Sequence, residues 1–220
     1  MRKYIIMGVQ GCGKGTQAKL LARDFDLVHI SVGDLFRWHI QNHTKLAARV
    51  RRYMAEGGLV PDDVVEEVVK LRLDQHDWNF GFILDGFPRS HHQAEFFLES
   101  YDIDAVLLID VPDRSVWERI LNRRLCTKCG LDYNLIYHRP ATPGVCDVCG
   151  GPLIARTDDT PEALCARLLD YHTKTEPILD LFRRKELVVA VDGMKEAPEI
   201  QEEIRRRLGL TAKPGEKASR

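Results

Sequence analysis

Five short apolar runs punctuate the chain: "KYIIMGV" at 3–9, "LVHI" at 27–30, "GFILD" at 81–85, "DAVLLIDV" at 104–111 and "LVVAVD" at 187–192. Their length and near-continuous apolar character predict strands buried on both faces. Between them the spacing turns helical. It predicts helices over 14–25, 32–41, 45–56 and 61–75, one growing out of "FPRSHHQAEFFLES", one from Pro112 to about 124, a long one from 161 to about 185, and a last over 198–208. Pro61, Asp62 and Asp63 form a favourable helix start, and Thr160–Pro161 reads as an N-cap followed by the first helical position. Strands alternating with helices predict a five-stranded parallel sheet with helices on both faces, an α/β fold.

Residues 125–159 break this alternation with turn residues, short β-like pieces and cysteines. Cys126-x2-Cys129, sixteen residues, then Cys146-x2-Cys149 is a zinc-ribbon pattern. Four thiolates would fill a tetrahedral ion's coordination and leave no place for a reactive water, so the expected Zn2+ is structural. Iron could also occupy such a sulfur site. An insert of this size buries little apolar surface, and a tetrathiolate ion would compensate for that.

Composition narrows the class. Charged residues make up 30% of the 220 positions and the formal net charge is -1, which argues against a dedicated nucleic-acid binder. No apolar run reaches membrane-spanning length, and "MRKYIIMGVQG" reads as a strand and a glycine turn, not a signal peptide. The expected compartment is the cytoplasm, where paired cysteines suit metal better than disulfides. The tail from 211 to 220 has the composition of a disordered segment.

"GVQGCGKGT" (8–16) follows the first strand and opens a helix. Gly8, Gly13 and Lys14 match G-x-x-x-x-G-K, in which glycines let backbone N–H groups converge on an anion at a helix N-terminus. The strict pattern continues with Ser or Thr, whereas here Gly15 precedes Thr16. Magnesium then needs another carboxylate: Asp85, at the end of an apolar strand, with Asp34 second.

Beyond this loop, "ISVGDLFR", "GGLVPD", "LDGFPR", "RTDD" and "ARL" follow in the order found in adenylate kinases. The chain resembles that family of nucleoside monophosphate kinases from about Tyr4 to Leu208, and its cysteine insert resembles the long bacterial form with a zinc-binding lid. The resemblance implies a P-loop kinase fold and reversible, Mg2+-dependent transfer, ATP plus AMP giving two ADP. It implies a core (1–30, 61–121, 160–210), a monophosphate arm (31–60) and a lid (122–159).

By the same resemblance, Gly11, Cys12, Gly13, Lys14, Gly15 and Thr16 would hold the ATP phosphates. Arg119 would lie against the ATP base and Arg123 would reach its phosphates. Asp132, Tyr133 and Lys195 would also lie near ATP. Arg119 and Arg123 are expected four apart on one helix face. Arg123, Arg156 and Arg167 are expected on the transferring phosphoryl group, and Arg37 and Arg89 on the AMP phosphate, with Lys14, Arg89, Arg123, Arg156 and Arg167 as the catalytic set. Val32, Arg37, Gly58, Leu59, Val60, Gly86, Phe87, Pro88, Arg89, Gln93, Arg156 and Arg167 would form the AMP side. Asp158 and Asp159 would brace the lid arginines.

Three departures from the family pattern stand out. Val32 replaces the usual threonine, and Gln10 and Cys12 replace proline and alanine in the loop. Cys165 is expected in the core, and His91 and His92 at the surface. The expected partners are ATP and AMP, with no nucleic acid and no membrane, for a monomer. Val32 keeps a second reading open, a kinase for UMP, CMP or GMP. A third, a nucleic-acid-binding zinc ribbon on a nucleotide switch, would need a basic stripe, where the insert carries Asp132, Asp147, Asp158 and Asp159.

Overall fold

A computed structural model describes residues 2–156 and 158–210; the tail expected to be disordered, 211–220, lies outside the described residues. Strands β1 (Lys3–Met7), β2 (Leu27–Ser31), β3 (Gly81–Asp85) and β4 (Ala105–Asp110) pair in parallel, and β8 (Val188–Asp192) completes the sheet. The order is β2-β3-β1-β4-β8. β1 is central, so the chain leaves it where strand order reverses, the position at which open α/β sheets bind ligands.

Alternate residues of each strand face opposite layers. Ile5, Phe82, Leu84 and Val106 join helices α2 (Val32–Gln41), α3 (Lys45–Glu56), α4 (Asp62–Asp74), α5 (His91–Ser100) and α8 (Ile178–Arg184) on one side. Tyr4, Ile6, Ile83 and Leu107 join α1 (Lys14–Phe25), α6 (Asp113–Leu121), α7 (Pro161–Asp170) and α9 (Ala197–Arg207) on the other. Both faces are covered, which is why the strands read as continuous apolar runs.

The insert forms a separate antiparallel sheet, β6-β5-β7, from β5 (Arg123–Cys126), β6 (Asp132–Asn134) and β7 (Leu153–Ile154). Its buried cluster holds only Cys126, Tyr133 and Cys146, flanked by Leu131 and Leu153.

Three expectations are corrected. α6 stops at Leu121, and Arg123 belongs to β5, so Arg119 and Arg123 do not share a helix face. Asn122 caps the helix by donating its side-chain amide to the Glu118 carbonyl at 2.9 Å, and strand pairing takes over from Arg123. The long helix expected to reach 185 is interrupted by a π-helical turn, Tyr171–Thr175, just before Pro177, whose ring nitrogen carries no N–H for the helical ladder. Cys165 is exposed: the buried stripe of α7 runs through Ala163, Leu164 and Leu168, and Cys165 lies off it.

Gly57 ends α3 with φ 78°, and a Cβ there would lie 2.4 Å from the Ala163 carbonyl oxygen and 2.7 Å from the Ala163 Cα, both on α7. The α2–α3 pair thus approaches α7 through a contact only glycine permits. Gly57→Ala is expected to cost about 1–2 kcal/mol from the left-handed backbone alone, and more from the clash. Thermal melting should show the loss, and an unchanged midpoint would refute the close approach.

Candidate active site

β1 releases the chain at Gly8, whose φ of 140° and 2.4 Å Cβ clearance to the Ile109 carbonyl oxygen leave no room for a side chain. The loop turns through the Cys12 N–H donating to the Val9 carbonyl and reaches α1 at Gly13, φ 103°. Lys14 Nζ donates to the carbonyls of Gly8 and Val9 at 2.7 and 2.8 Å, so the ammonium lies within the loop's own curve. Cys12 is fully buried, packed as a small apolar residue.

The register of β1 and β3 places Asp85 opposite Ile6, at the mouth of this loop. A Cβ on Gly15 would sit 3.7 Å from Asp85 Oδ2. Burial would raise the Asp85 carboxyl, but His29 beside it, 3.5 Å away, and the charges of Lys14 and Arg89 hold it below its ordinary value. His29 was not anticipated from the sequence. Its position two residues before Ser31 on β2, on the same side of the strand, is the signal that could have found it.

Six arginines reach this region from different elements. Arg37 projects from α2, Arg119 from α6, Arg123 from β5 and Arg167 from α7; Arg89 follows β3 and Arg156 follows β7. Burial lowers the proton affinity of Arg89, and the nearby positive charges of Arg167 and Arg37 add to it. Arg156 is lowered in the same way by burial and by Arg123 and Arg37.

Carboxylates separate these cations. Asp159 takes a forked contact from Arg123, 2.9 Å from Nε and 2.6 Å from the terminal nitrogen. Asp158 accepts from Arg167 at 2.7 Å and lies 3.9 Å from Arg37. Asp132 accepts from Arg156 at 3.3 Å. Asp34 accepts from Arg37; burial would raise its carboxyl, and the Arg37 charge more than reverses that. Asp34 is therefore an arginine partner here, and Asp85 is the carboxylate at the loop.

On the far side, Gly86–Arg89 include a cis Phe87–Pro88 peptide. Gln93 is buried, with its Oε1 accepting from the Arg89 N–H at 2.8 Å and its Nε2 donating to Asp62 at 2.6 Å. Asp62, read from the sequence only as part of a helix start, also accepts from Ser90 at 2.8 Å. Val32 is buried beside this region.

One cleft of about 900 Å³ is lined by Gly11–Thr16, Val32, Asp34, Arg37, Gly58–Val60, Asp85–Arg89, Gln93, Arg119, Arg123, Asp132, Tyr133, Arg156, Asp158, Arg167 and Lys195. Asp159 stands behind it, holding Arg123. Two side chains are turned elsewhere. The Tyr133 ring is buried, stacks on His138, and points its hydroxyl at Cys146 Sγ, 3.5 Å away. Lys195 Nζ donates to Glu203 at 2.7 Å. Arg119 donates to the carbonyls of Cys12 and Gly193 and lies over the Tyr137 ring, forming a flat platform beside the loop.

The four paired cysteines lie outside the cleft. Their sulfurs are all within 4.8 Å of one another, with Cys126–Cys149 at 3.4 Å and Cys129–Cys146 at 3.6 Å. Tetrahedral bonds of about 2.3 Å would set sulfurs roughly 3.8 Å apart, so this set can hold a metal ion. The Tyr133 hydroxyl, with the N–H groups of Cys149 and Val148, lowers the Cys146 thiol to about 6, toward the thiolate a metal needs. Among the described residues no helix is long and apolar enough to cross a membrane.

The family model for adenylate kinase matches residues 6–187. An adenylate kinase of Clostridium tetani is 46% identical over 210 residues, covering 93% of this chain and 97% of that protein. One of Caldicellulosiruptor bescii is 44% identical over 213 residues, covering 94% and 99%. A matched span running from β1 through α8, with the phosphate loop, the cleft arginines and the cysteine insert inside it, places this chain in the adenylate kinase family.

Proposed function

We propose that this phosphotransferase catalyses reversible Mg2+-dependent transfer of a phosphoryl group from ATP to AMP, yielding two ADP. The observation that carries this reading is the convergence of Arg37, Arg89, Arg123, Arg156 and Arg167 on one cleft between the phosphate loop and the Gln93 side. Phosphoryl transfer needs in-line placement of two polyanions and neutralisation of the charge that develops between them. Cations drawn from the core, from 31–60 as the monophosphate arm and from 122–159 as the lid would supply both.

In this reading the loop amides of Gly11–Thr16 hold the ATP phosphates, and Lys14 exchanges its loop carbonyls for phosphate oxygens. Arg119 lies against the ATP base, with Asp132, Tyr133 and Lys195 at its margin. Arg123, Arg156 and Arg167 surround the transferring group, because their planar forks fit its oxygens. Arg37 and Arg89 take the AMP phosphate. Mg2+ arrives with ATP and is held through water by Asp85. Asp34 serves by steadying Arg37. Asp158 and Asp159 hold the arginines in position between turnovers. AMP's base would sit among Val32, Gly58–Val60 and Gln93.

The four cysteines would hold Zn2+ as a structural ion with no catalytic step. A reducing cytoplasm, where thiols stay available for metal, fits this set.

ADP formation from magnesium-ATP with AMP, UMP, CMP and GMP in turn tests the substrate. AMP should give the highest kcat/KM by about tenfold or more, as expected when buried polar groups read a base. Equal rates with UMP or GMP would sink the adenylate reading. Arg123→Met should lower kcat by about 10²–10³-fold, the usual loss for one preorganised cation or donor; a change confined to KM would remove Arg123 from the transferring group. Metal chelation should lower a melting transition of the lid while the core circular dichroism persists. An identical melting curve in metal-free protein would exclude a structural ion.

A further inference from the structure

Lys19 sits on α1, the helix opened by the phosphate loop, five residues after Lys14. Its Nζ donates to Asp132 Oδ2 and to the Gly130 carbonyl, both at 3.1 Å. Gly130 closes the first cysteine turn, at φ 69° with its N–H donating to the Cys126 carbonyl at 3.0 Å. The other oxygen of Asp132 accepts from Arg156. One ammonium on a core helix therefore touches both the turn made by a cysteine pair and the carboxylate that aligns a cleft arginine.

We propose that Lys19 is a positioning residue that seats the lid over the phosphate loop, and thereby strengthens ATP binding without contacting the nucleotide. The inference rests on the reading above that ATP lies at the loop beneath the lid. The insert's small buried cluster cannot fix its own angle to the core. The contacts of Asn134 with the Arg119 carbonyl and of Tyr137 with Glu118 both lie on α6, next to where the chain enters β5. They locate the insert where the chain enters it, and the contacts of Asp158 with Arg167 and of Asp159 with Gln10 locate it where the chain leaves; all of these lie at its two ends. Lys19 stands on a different helix, and its contacts at Gly130 and Asp132 fall between those ends. The Cys126–Gly130 turn, like Cys146–Gly150, is a stiff part of the insert, since a bound ion would hold it at two sulfurs. Asp132 then carries the seating to Arg156.

Calorimetric titration with ATP alone, and separately with AMP, tests this on the full-length metal-loaded protein. Lys19→Gln should weaken ATP about threefold, in the range of a partly exposed ion pair, and leave AMP affinity and the melting midpoint unaltered. Lys19→Arg should recover most of the loss. Asp132→Asn should lose more, because Arg156 is also released, and the double variant should lose less than the sum of the two single losses, since only the Lys19–Gly130 contact is left to remove. The gap between wild type and Lys19→Gln should narrow at about 0.5 M salt, where exposed charges are screened within a few ångströms. Unaltered ATP affinity in Lys19→Gln, full additivity of the two substitutions, or equal losses for ATP and AMP with a lowered midpoint would each overturn the seating role. Wild-type protein that binds no ATP would overturn the reading of the site itself, and the seating role with it.

Discussion

Guanidinium groups gathered into one cleft repel each other, and the rest of this structure is arranged around that constraint. Arg37, Arg89, Arg156 and Arg167 lie close enough that their charges and their burial lower the proton affinity of Arg89 and Arg156. Cations crowded together on a cleft wall would repel one another without partners. Asp34, Asp132, Asp158 and Asp159 provide partners for Arg37, Arg156, Arg167 and Arg123, from the α2 start, β6 and the segment leading into α7. A carboxylate in a forked contact occupies the same donors that a phosphate would. On the proposed reading the aspartates would keep the arginines in place until a better anion displaced them.

The cysteine insert answers a second constraint, that of size. A buried cluster of Cys126, Tyr133 and Cys146 is too small to rigidify by itself a segment with Arg123 near one end and Arg156 near the other. Four sulfurs placed to hold a single ion would supply a fixed centre, and Tyr133 is turned toward it: its ring packs on His138 and its hydroxyl serves Cys146 and the Asp147 N–H. This is why Tyr133 faces away from the cleft that it borders. A residue whose place in a family motif points to the nucleotide has its polar atom committed to the metal side.

The strands and the phosphate loop were legible because they rest on local rules. Buried parallel strands are continuous apolar runs, and a glycine-rich strand–helix turn has a spacing that can be read directly. The failures came where tertiary contacts decide. Helical spacing continues through Arg123, yet pairing of β5 with β6 and β7 ends the helix at Leu121. Cys165 is apolar enough for a core, but the buried stripe of α7 is set by the layer it meets, and that stripe passes one residue to the side. His29 and Asp62 were missed for the same reason. Their partners, Asp85 and Gln93, are distant in sequence and arrive only through strand register and helix packing.

On the proposed reading, selectivity for the monophosphate base would turn on how Gln93 is held. Its two amide atoms are already engaged, one by the Arg89 N–H and one by Asp62, so the side chain is fixed in one orientation before any base arrives. A fixed amide discriminates better than a free one, because a base that cannot match it leaves a buried polar group unpaired, whereas a free amide could turn to suit either pattern. Val32 would contribute the opposite kind of recognition, shape without a hydrogen bond, which rejects bulk but not a change of edge. In that reading the burden of telling adenine from other bases would fall on the Gln93–Asp62 pair and on the backbone at Gly58–Val60, and the lock on Gln93 would offset the hydroxyl that Val32 lacks.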